Sequence, residues 1–497
     1  MKNILSKLFI AGALLITTSC ADDYLDTLPT DAVSEEAVFT TTQNAMTALN
    51  GIHRMMFIRF DSQGQPAEGG VMIMREVMAE DVVMTTTGNG WFVSISRWLN
   101  HINESSGDVR FVWRFYYKVI GNANMIIANI DNADGPQAEK DEIKGQALAY
   151  RAWAHFNLVQ MFAKRYEAGG SNSDLGVPIV LEPITEGGPR NTVAEVYAQI
   201  NSDIDAAIGL LTTSRNAKSH LNINVAKGIK ARVALVQENF SVAAQMAKEA
   251  REGFSLMNTD QLYEGFNNVE NPEWIWGSKQ VDDQQTFFAS YFAYMSLNFS
   301  STNIRSNPKA INSALYDMIP DTDARKGLWD PNASDPDMRD PFIDEVTLSS
   351  FSKIDYMNRK FLAQANASSV GDVPYMRAAE MYLIEAEALS RSGNDSEAAQ
   401  VLFELVSARD SGYTLSSNTG AALTDEIMIQ RRIELWGEGF RWYDLKRLNL
   451  PLDRTGANHV ESVINSKFTE SAGSNAWQWQ IPRDELNANE NMIQNPS

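Results

Sequence analysis

The chain has 497 residues, 63 of them acidic against 42 basic, and a formal net charge of −21 at neutral pH. A surface this acidic repels a polyanion, and no Lys/Arg run is interleaved with aromatics, so DNA and RNA are excluded as partners. The 44% hydrophobic content, with 11 Trp, 15 Tyr and 22 Phe, specifies a large folded core, and a single cysteine rules out an intramolecular disulfide and any Cys-based zinc or iron–sulfur site.

Met1 to Lys7 is short and positively charged, Leu8 to Ile16 is apolar, and Thr17-Thr18-Ser19 leads into Cys20 with small residues. That order predicts a secretory signal over residues 1–19. The apolar run falls far short of the roughly 18 to 20 residues that cross a bilayer as a helix, and no later segment of that length lacks a charge. Membrane attachment therefore falls to a lipid on Cys20. The residues before Cys20 resemble a lipobox, with Thr17 where a lipobox usually has Leu, and the alternative is a plain signal peptide with an incidental cysteine. Several acyl groups on one residue give stable anchoring, at about 0.8 kcal/mol per buried methylene. Removing residues 1–19 takes away Lys2 and Lys7 and no acid, leaving 40 basic against 63 acidic residues and a charge near −23. Ala21-Asp22-Asp23 resembles the acidic signal that sends Bacteroidetes lipoproteins to the cell surface. Residues 20–40, with Pro29 and no helical period, read as a tether onto a body over 41–497.

From Asp141, the positions Ile143, Ala147, Tyr150, Ala154, Leu158 and Met161 recur at helical spacing, and Gly169-Gly170 closes the run. Thr192 to Leu211 opens with a capping box, Thr192 and Glu195, and presents Val196, Ile200, Ile204 and Ile208 on one face. Two later segments repeat one unit: helices Ala226–Gln237 and Val242–Arg251 around Glu238-Asn239, and Met376–Ser390 and Ser396–Ser407 around Gly393-Asn394. Small residues at the crossings (Ala243, Ala247, Ala398, Ala399) let antiparallel helices approach, as in degenerate tetratricopeptide-like repeats. The expected fold is mainly α: helical pairs mostly in 41–254 and 373–450, with loop-rich insertions at 81–107 and 255–372 and little β structure. Trp274-Ile275-Trp276 reads as a short core strand.

The segment RRIELWGEGFRWYDLKRL over 431–448 resembles the most distinctive motif of the SusD/RagB family of outer-membrane nutrient-binding lipoproteins. MRAAEMYLIEAEALSR from Met376 resembles the helix before it, and QIPRDEL over 480–486, with Gln494-Asn495-Pro496, resembles the family's ending. Asn50-Gly51-Ile52, the helix around Arg151-Ala152, Val177-Pro178 and the Thr192–Leu211 helix also fit. The resemblance implies a helical-pair scaffold with a loop-rich ligand-binding side, at the cell surface of an outer membrane. It also implies a SusC-like TonB-dependent transporter over which the lipoprotein closes as a lid, a glycan as cargo, and no cofactor or catalysis. Residue chemistry alone reads 431–448 differently: Arg431, Arg432, Glu434, Glu438, Arg441 and Asp444, set among Trp436 and Trp442, form a buried structural clamp.

A sugar ring offers a flat apolar face edged with hydroxyls, so its site needs aromatic faces beside Asn, Asp, Arg or Gln. Asn89–Asn100 supplies Asn89, Trp91, Arg97 and Trp98; Gln284–Asn298 supplies Phe288, Tyr291 and Tyr294; Trp329 is a third candidate. The resemblance places sugar contacts in the first stretch. Asp321, Asp323, Asp330, Asn332 and Asp335 lack EF-hand spacing and read as a solvated acidic loop, with calcium as the alternative and no metal site expected. The five histidines are scattered without a His-Glu-x-x-His pair, and no Gly-x-Ser-x-Gly elbow or P-loop occurs. The competing functions are a protein-binding helical scaffold and, behind it, a secreted glycoside hydrolase, which needs two carboxylates placed across one bond.

Overall fold

The computed structural model describes residues 38–183, 186–280 and 288–497; the expected signal, Cys20 and residues 20–37 of the tether lie outside them. The first helices are α1 (Thr42–Met55), α2 (Ala67–Met78), α3 (Gly107–Asn129), α4 (Gln137–Phe162), α5 (Val193–Leu210), α6 (Ile223–Val236) and α7 (Phe240–Ala250). Four more follow in the C-terminal third: α8 (Ala378–Arg391), α9 (Asp395–Val406), α10 (Gly420–Glu434) and α11 (Arg441–Arg447). Sequence neighbours pack in succession, α3 on α4, α4 on α5, α5 on α6, α6 on α7, and α7 crosses to α8, which packs on α9 and α10. The outer helices bury one stripe and need the next to cover it, whereas α2 and the C-terminal half of α4 are buried on every side.

The period-based expectations for α4 to α7 hold to within a few residues, except that α4 ends at Phe162, seven residues before the Gly169-Gly170 pair expected to close it. Thr192 caps α5 as its sequence requires: its side chain accepts from the Glu195 amide, and the Glu195 carboxylate accepts from the Thr192 amide. One boundary differs. Residues Pro374–Arg377 form a strand, β6, before α8 begins at Ala378, because they pair antiparallel with β2 (Trp274–Gly277). Strand β2 falls where Trp274-Ile275-Trp276 reads as a core strand; β6, with all four residues buried, offers no alternation to separate it from the helix that follows. Four further strands form a small sheet in the order β1 (Val82–Met84), β3 (Lys309–Ile311), β5 (Met357–Asn358), β4 (Trp329–Asp330), and β7 (Leu452–Asp453) pairs with β8 (Thr469–Glu470). The two irregular regions thus meet: β1 from the first insertion pairs with β3 from the second, Val82 opposite Ile311 and Met84 opposite Lys309.

The 431–448 segment is two helices and a hinge. Helix α10 stops at Glu434 and α11 starts at Arg441, with Gly437 and Gly439 between them at φ of +81° and +90°. The charges are buried and paired, as a clamp requires. Arg431 meets Asp444 at 2.8 Å, Arg432 meets Asp81 at 2.6 Å, Arg441 meets Glu80 at 2.5 Å, and Trp436 Nε1 donates to the Asp81 carbonyl at 2.8 Å.

Candidate functional site

Strand β1 leads into the turn that carries the site. Thr85 Oγ1 donates to the Pro308 carbonyl at 2.7 Å and Thr86 Oγ1 to that of Ser306, so the loop is stitched to the second insertion as it leaves the sheet. The Gly90 amide then closes a turn onto the Thr87 carbonyl at 2.8 Å. Gly88 takes φ +45° within 3.0 Å of Asn307, measured from the Cβ it lacks, so a larger residue here would push the loop off its seat. Asn89 stands exposed at the tip.

Trp91 follows, half-buried. Its indole lies across Gly64, where an added Cβ would sit 3.0 Å from Cε3, and its edge meets Tyr294 with ring centroids 6.1 Å apart. Phe92 packs edge-on to the same tyrosine at 5.0 Å. Trp91 and Tyr294, from segments some two hundred residues apart, are therefore packed together, and Tyr294 is buried beneath the contact, which corrects the expectation that it offers a face of its own. Tyr294 is 3% exposed and its hydroxyl finds no partner among the described residues; burial raises its pKa. It serves as a wall beside the Trp91 ring, which of the two aromatics is the one that keeps part of its surface exposed. Residues 284–287 of the second aromatic stretch lie outside the described residues.

The other candidates are held elsewhere. Trp98, 2% exposed, donates Nε1 to the Met78 carbonyl at 2.8 Å and packs edge-on against Trp477 at 4.8 Å, so it is core. Arg97 is committed to the backbone, Nε to Val463 O at 2.7 Å and Nη2 to Ser462 O at 3.1 Å. Tyr291, 1% exposed, donates to the Gly437 carbonyl at 2.7 Å and ties the insertion to the clamp. Trp329 lies on β4 at the far edge of the sheet, 2% exposed and edge-on to Trp436 at 5.5 Å. These placements correct the expectation that Trp98, Tyr291 and Trp329 offer an aromatic face: long-range partners cover each ring.

The acidic loop is also more structural than expected. Asp323 is buried against Arg325 at 2.6 Å, and Asp330 accepts from the Asn332 and Asp340 amides at 2.9 and 2.8 Å, while Asp321 remains on the surface. Among the described residues no group of three or more His, Cys, Asp or Glu is placed to hold a metal. His101, His155 and His459 each turn a ring nitrogen to a backbone carbonyl, and burial lowers their pKa values to about 4, 3 and 4, so they act as neutral core residues.

Sequence reading missed a second aromatic surface. An open cleft of about 660 Å³ runs between α3 and residues 485–489 near the C-terminus, with half-buried Phe60 and Tyr117 and buried Trp113 along it, and Arg59, Arg114, Lys118 and Glu186 at the rim. Trp113 and Tyr117 at i, i+4 were the available signal, but that spacing looks the same for a core stripe.

Paired helices enclosing an irregular, aromatic-bearing region define a class of helical-scaffold binding proteins, and the comparisons identify which one. Residues 23–235 match the family described as SusD-like, "Starch-binding associating with outer membrane", and residues 347–497 match the SusD family. The chain belongs to the SusD/RagB family. It is 25% identical to SusD-like protein P2 of Formosa agariphila, over 98% of both chains. Among solved structures it resembles a SusD-like carbohydrate binding protein of Bacteroides vulgatus, at 27% identity and TM-score 0.79 over 92% of this chain and 98% of that one. It shares its fold with a laminarin-binding SusD-like protein at 21% identity and TM-score 0.69, over 92% of this chain and all of that one. No helix among the described residues is long and apolar enough to cross a membrane.

Proposed function

We propose that this protein captures a glycan at the cell surface, as a lipoprotein anchored to the outer membrane through Cys20, and passes it to a SusC-like TonB-dependent transporter. The observation that carries the binding reading is Trp91: a half-buried indole braced by Tyr294 and Gly64 beside the exposed Asn89 amide. A braced ring loses little freedom when a sugar stacks on it, and the neighbouring amide supplies both donor and acceptor to the ring hydroxyls. Membership of a family described as starch-binding and outer-membrane-associated supports the same reading, as does the likeness to a carbohydrate binding protein.

Calorimetry of the purified protein against a panel of oligosaccharides tests it. Saturable binding without product is expected, and Trp91→Ala should weaken it by more than about tenfold, since a central aromatic anchor is worth above about 1.4 kcal/mol. Unchanged affinity in Trp91→Ala would place the glycan elsewhere, with the Phe60–Tyr117 cleft next in line. Product formation would favour a hydrolase, and silence across the panel a protein-binding scaffold.

A further inference from the structure

A cavity of about 60 Å³ lies where the 431–447 segment meets the helical scaffold, walled by Arg75 of α2, Asn157 of α4, Arg232 of α6, Arg431 of α10, and Phe440. That is room for a guest of a few atoms, since a single water occupies roughly 10 to 15 Å³ by this measure. Two buried donors on its walls have no acceptor among the described residues: Arg75 Nε and Arg431 Nη1, on residues that are 5% and 4% exposed. Arg75 otherwise donates to Asn157 at 3.0 Å and Glu68 at 2.6 Å, and Arg431 to Asp444 at 2.8 Å.

The carboxylates around the cavity are already taken. Glu68 receives Arg75 and the Tyr116 hydroxyl, Glu380 receives Arg232 in bidentate fashion, and Glu438 is held by Lys360 and Arg377. Around Arg431 itself the charges do not balance. Arg391 meets Glu387 at 2.8 Å, Glu387 meets Arg447 at 2.7 Å, Arg447 meets Asp444 at 2.9 Å, and Asp444 meets Arg431 at 2.8 Å. Three guanidinium groups share two carboxylates in this run of pairs; Arg391, at the outer end, reaches solvent, and the buried end at Arg431 carries the unpartnered donor. A buried, uncompensated positive charge is costly, and a buried N–H without an acceptor adds to that cost. Phe440 sits at this point with the Arg232 and Arg431 guanidinium carbons 5.2 and 5.3 Å from its ring centroid, so the cations also flank the aromatic at the cavity wall.

We propose that this cavity binds a small monovalent anion, such as chloride, between Arg75 Nε and Arg431 Nη1. The ion supplies the missing negative charge and accepts both orphan hydrogen bonds, and it braces α2 against the 431–447 segment. This site is separate from the Trp91 surface and stands or falls without it.

Crystals of the protein grown in bromide test the inference directly, because bromide scatters anomalously and replaces chloride. An anomalous peak within hydrogen-bonding reach of both arginines is expected; a cavity holding only water overturns the proposal. Thermal unfolding gives a second readout. At fixed ionic strength, replacing gluconate with chloride should raise Tm saturably by about 2 to 5 °C. Arg431→Gln should abolish that rise, while Arg114→Gln, an exposed control, keeps it. A rise that survives Arg431→Gln, or no halide-specific rise in the unaltered protein, counts against the site. Should Arg431→Gln fail to fold, the bromide crystal of the unaltered protein still decides.

Discussion

Glu76 is 1% exposed on α2, and its carboxylate accepts the Gly439 and Phe440 amides at 2.7 and 2.8 Å, reaching across to the hinge between α10 and α11. Burial, with the nearby Asp81 charge, pushes its pKa up to about 7 against the pull of those amides. The folded value lies above the unfolded one near 4.5, so the folded state holds the extra proton between them. Stability from this group is fully present below about pH 4.5 and is lost as pH rises through about 7. Glu76→Gln keeps an oxygen for the same two amides and removes the titration. Urea unfolding between about pH 4.5 and 8 should show the unaltered protein losing about 1 to 3 kcal/mol relative to the variant, and parallel curves would disprove it. Asp444 runs the other way: burial opposes its charge, but Arg431 and Arg447 hold its pKa down at about 2, so its contribution is lost only as pH falls from about 4 toward 2. The two windows do not overlap, and the buried histidines, which do titrate inside the Glu76 window, are common to both proteins and cancel in the comparison with the variant.

At the scale of elements, the clamp was legible in the sequence as a dense charged motif, while the turn between α10 and α11 within it, which only glycine fits, was not singled out. Gly439 has φ +90°, and a Cβ there would lie 3.0 Å from Arg75 Nη2 and 3.1 Å from the Met72 Cα. The arginine end could shift; the Met72 backbone of a buried helix cannot. Gly439→Ala should therefore cost about 1 to 3 kcal/mol in chemical unfolding and also lengthen the Glu76 hydrogen bonds, which a loss of amide protection at 439 and 440 in hydrogen exchange would report. A neutral result would mean that the hinge is slack. Helices α4 and α5 were equally legible, by period and by the Thr192 cap, since those signals lie within one turn of the residues they order. Strand β6 was not, because a strand buried on both faces carries no alternation.

For the whole molecule, the same contrast explains the site. Exposure of an aromatic depends on what covers it, and here the covers come from far along the sequence: Trp477 against Trp98, Phe361 against Tyr291, Trp436 against Trp329. Composition and spacing singled out the two insertions and offered no means of choosing among their rings. The charged motif was easier, because so many ionic groups among tryptophans had to be paired. What the sequence could not show is its reach. Arg377 at the end of β6 binds Glu273, Glu434 at 3.0 Å and Glu438 at 2.7 Å; Arg409 joins Glu273 at 2.7 Å and Glu434 at 3.1 Å; Arg325 joins through Glu434 at 3.3 Å and brings in Asp323, and Lys360 joins through Glu438. Four cations and four carboxylates, all nearly inaccessible, weld the second insertion to the clamp. Such a network is balanced only as a set, so removing one member leaves buried charge without a partner. Arg377→Met removes the member with the most carboxylates. It should destabilise the fold by about 3 to 5 kcal/mol in urea unfolding, whereas Arg114→Met, facing Asp61 on the surface, should stay within about 0.5 kcal/mol. Equal effects from the two would mean that the buried network is dispensable, and with it the physical reading of the 431–448 motif.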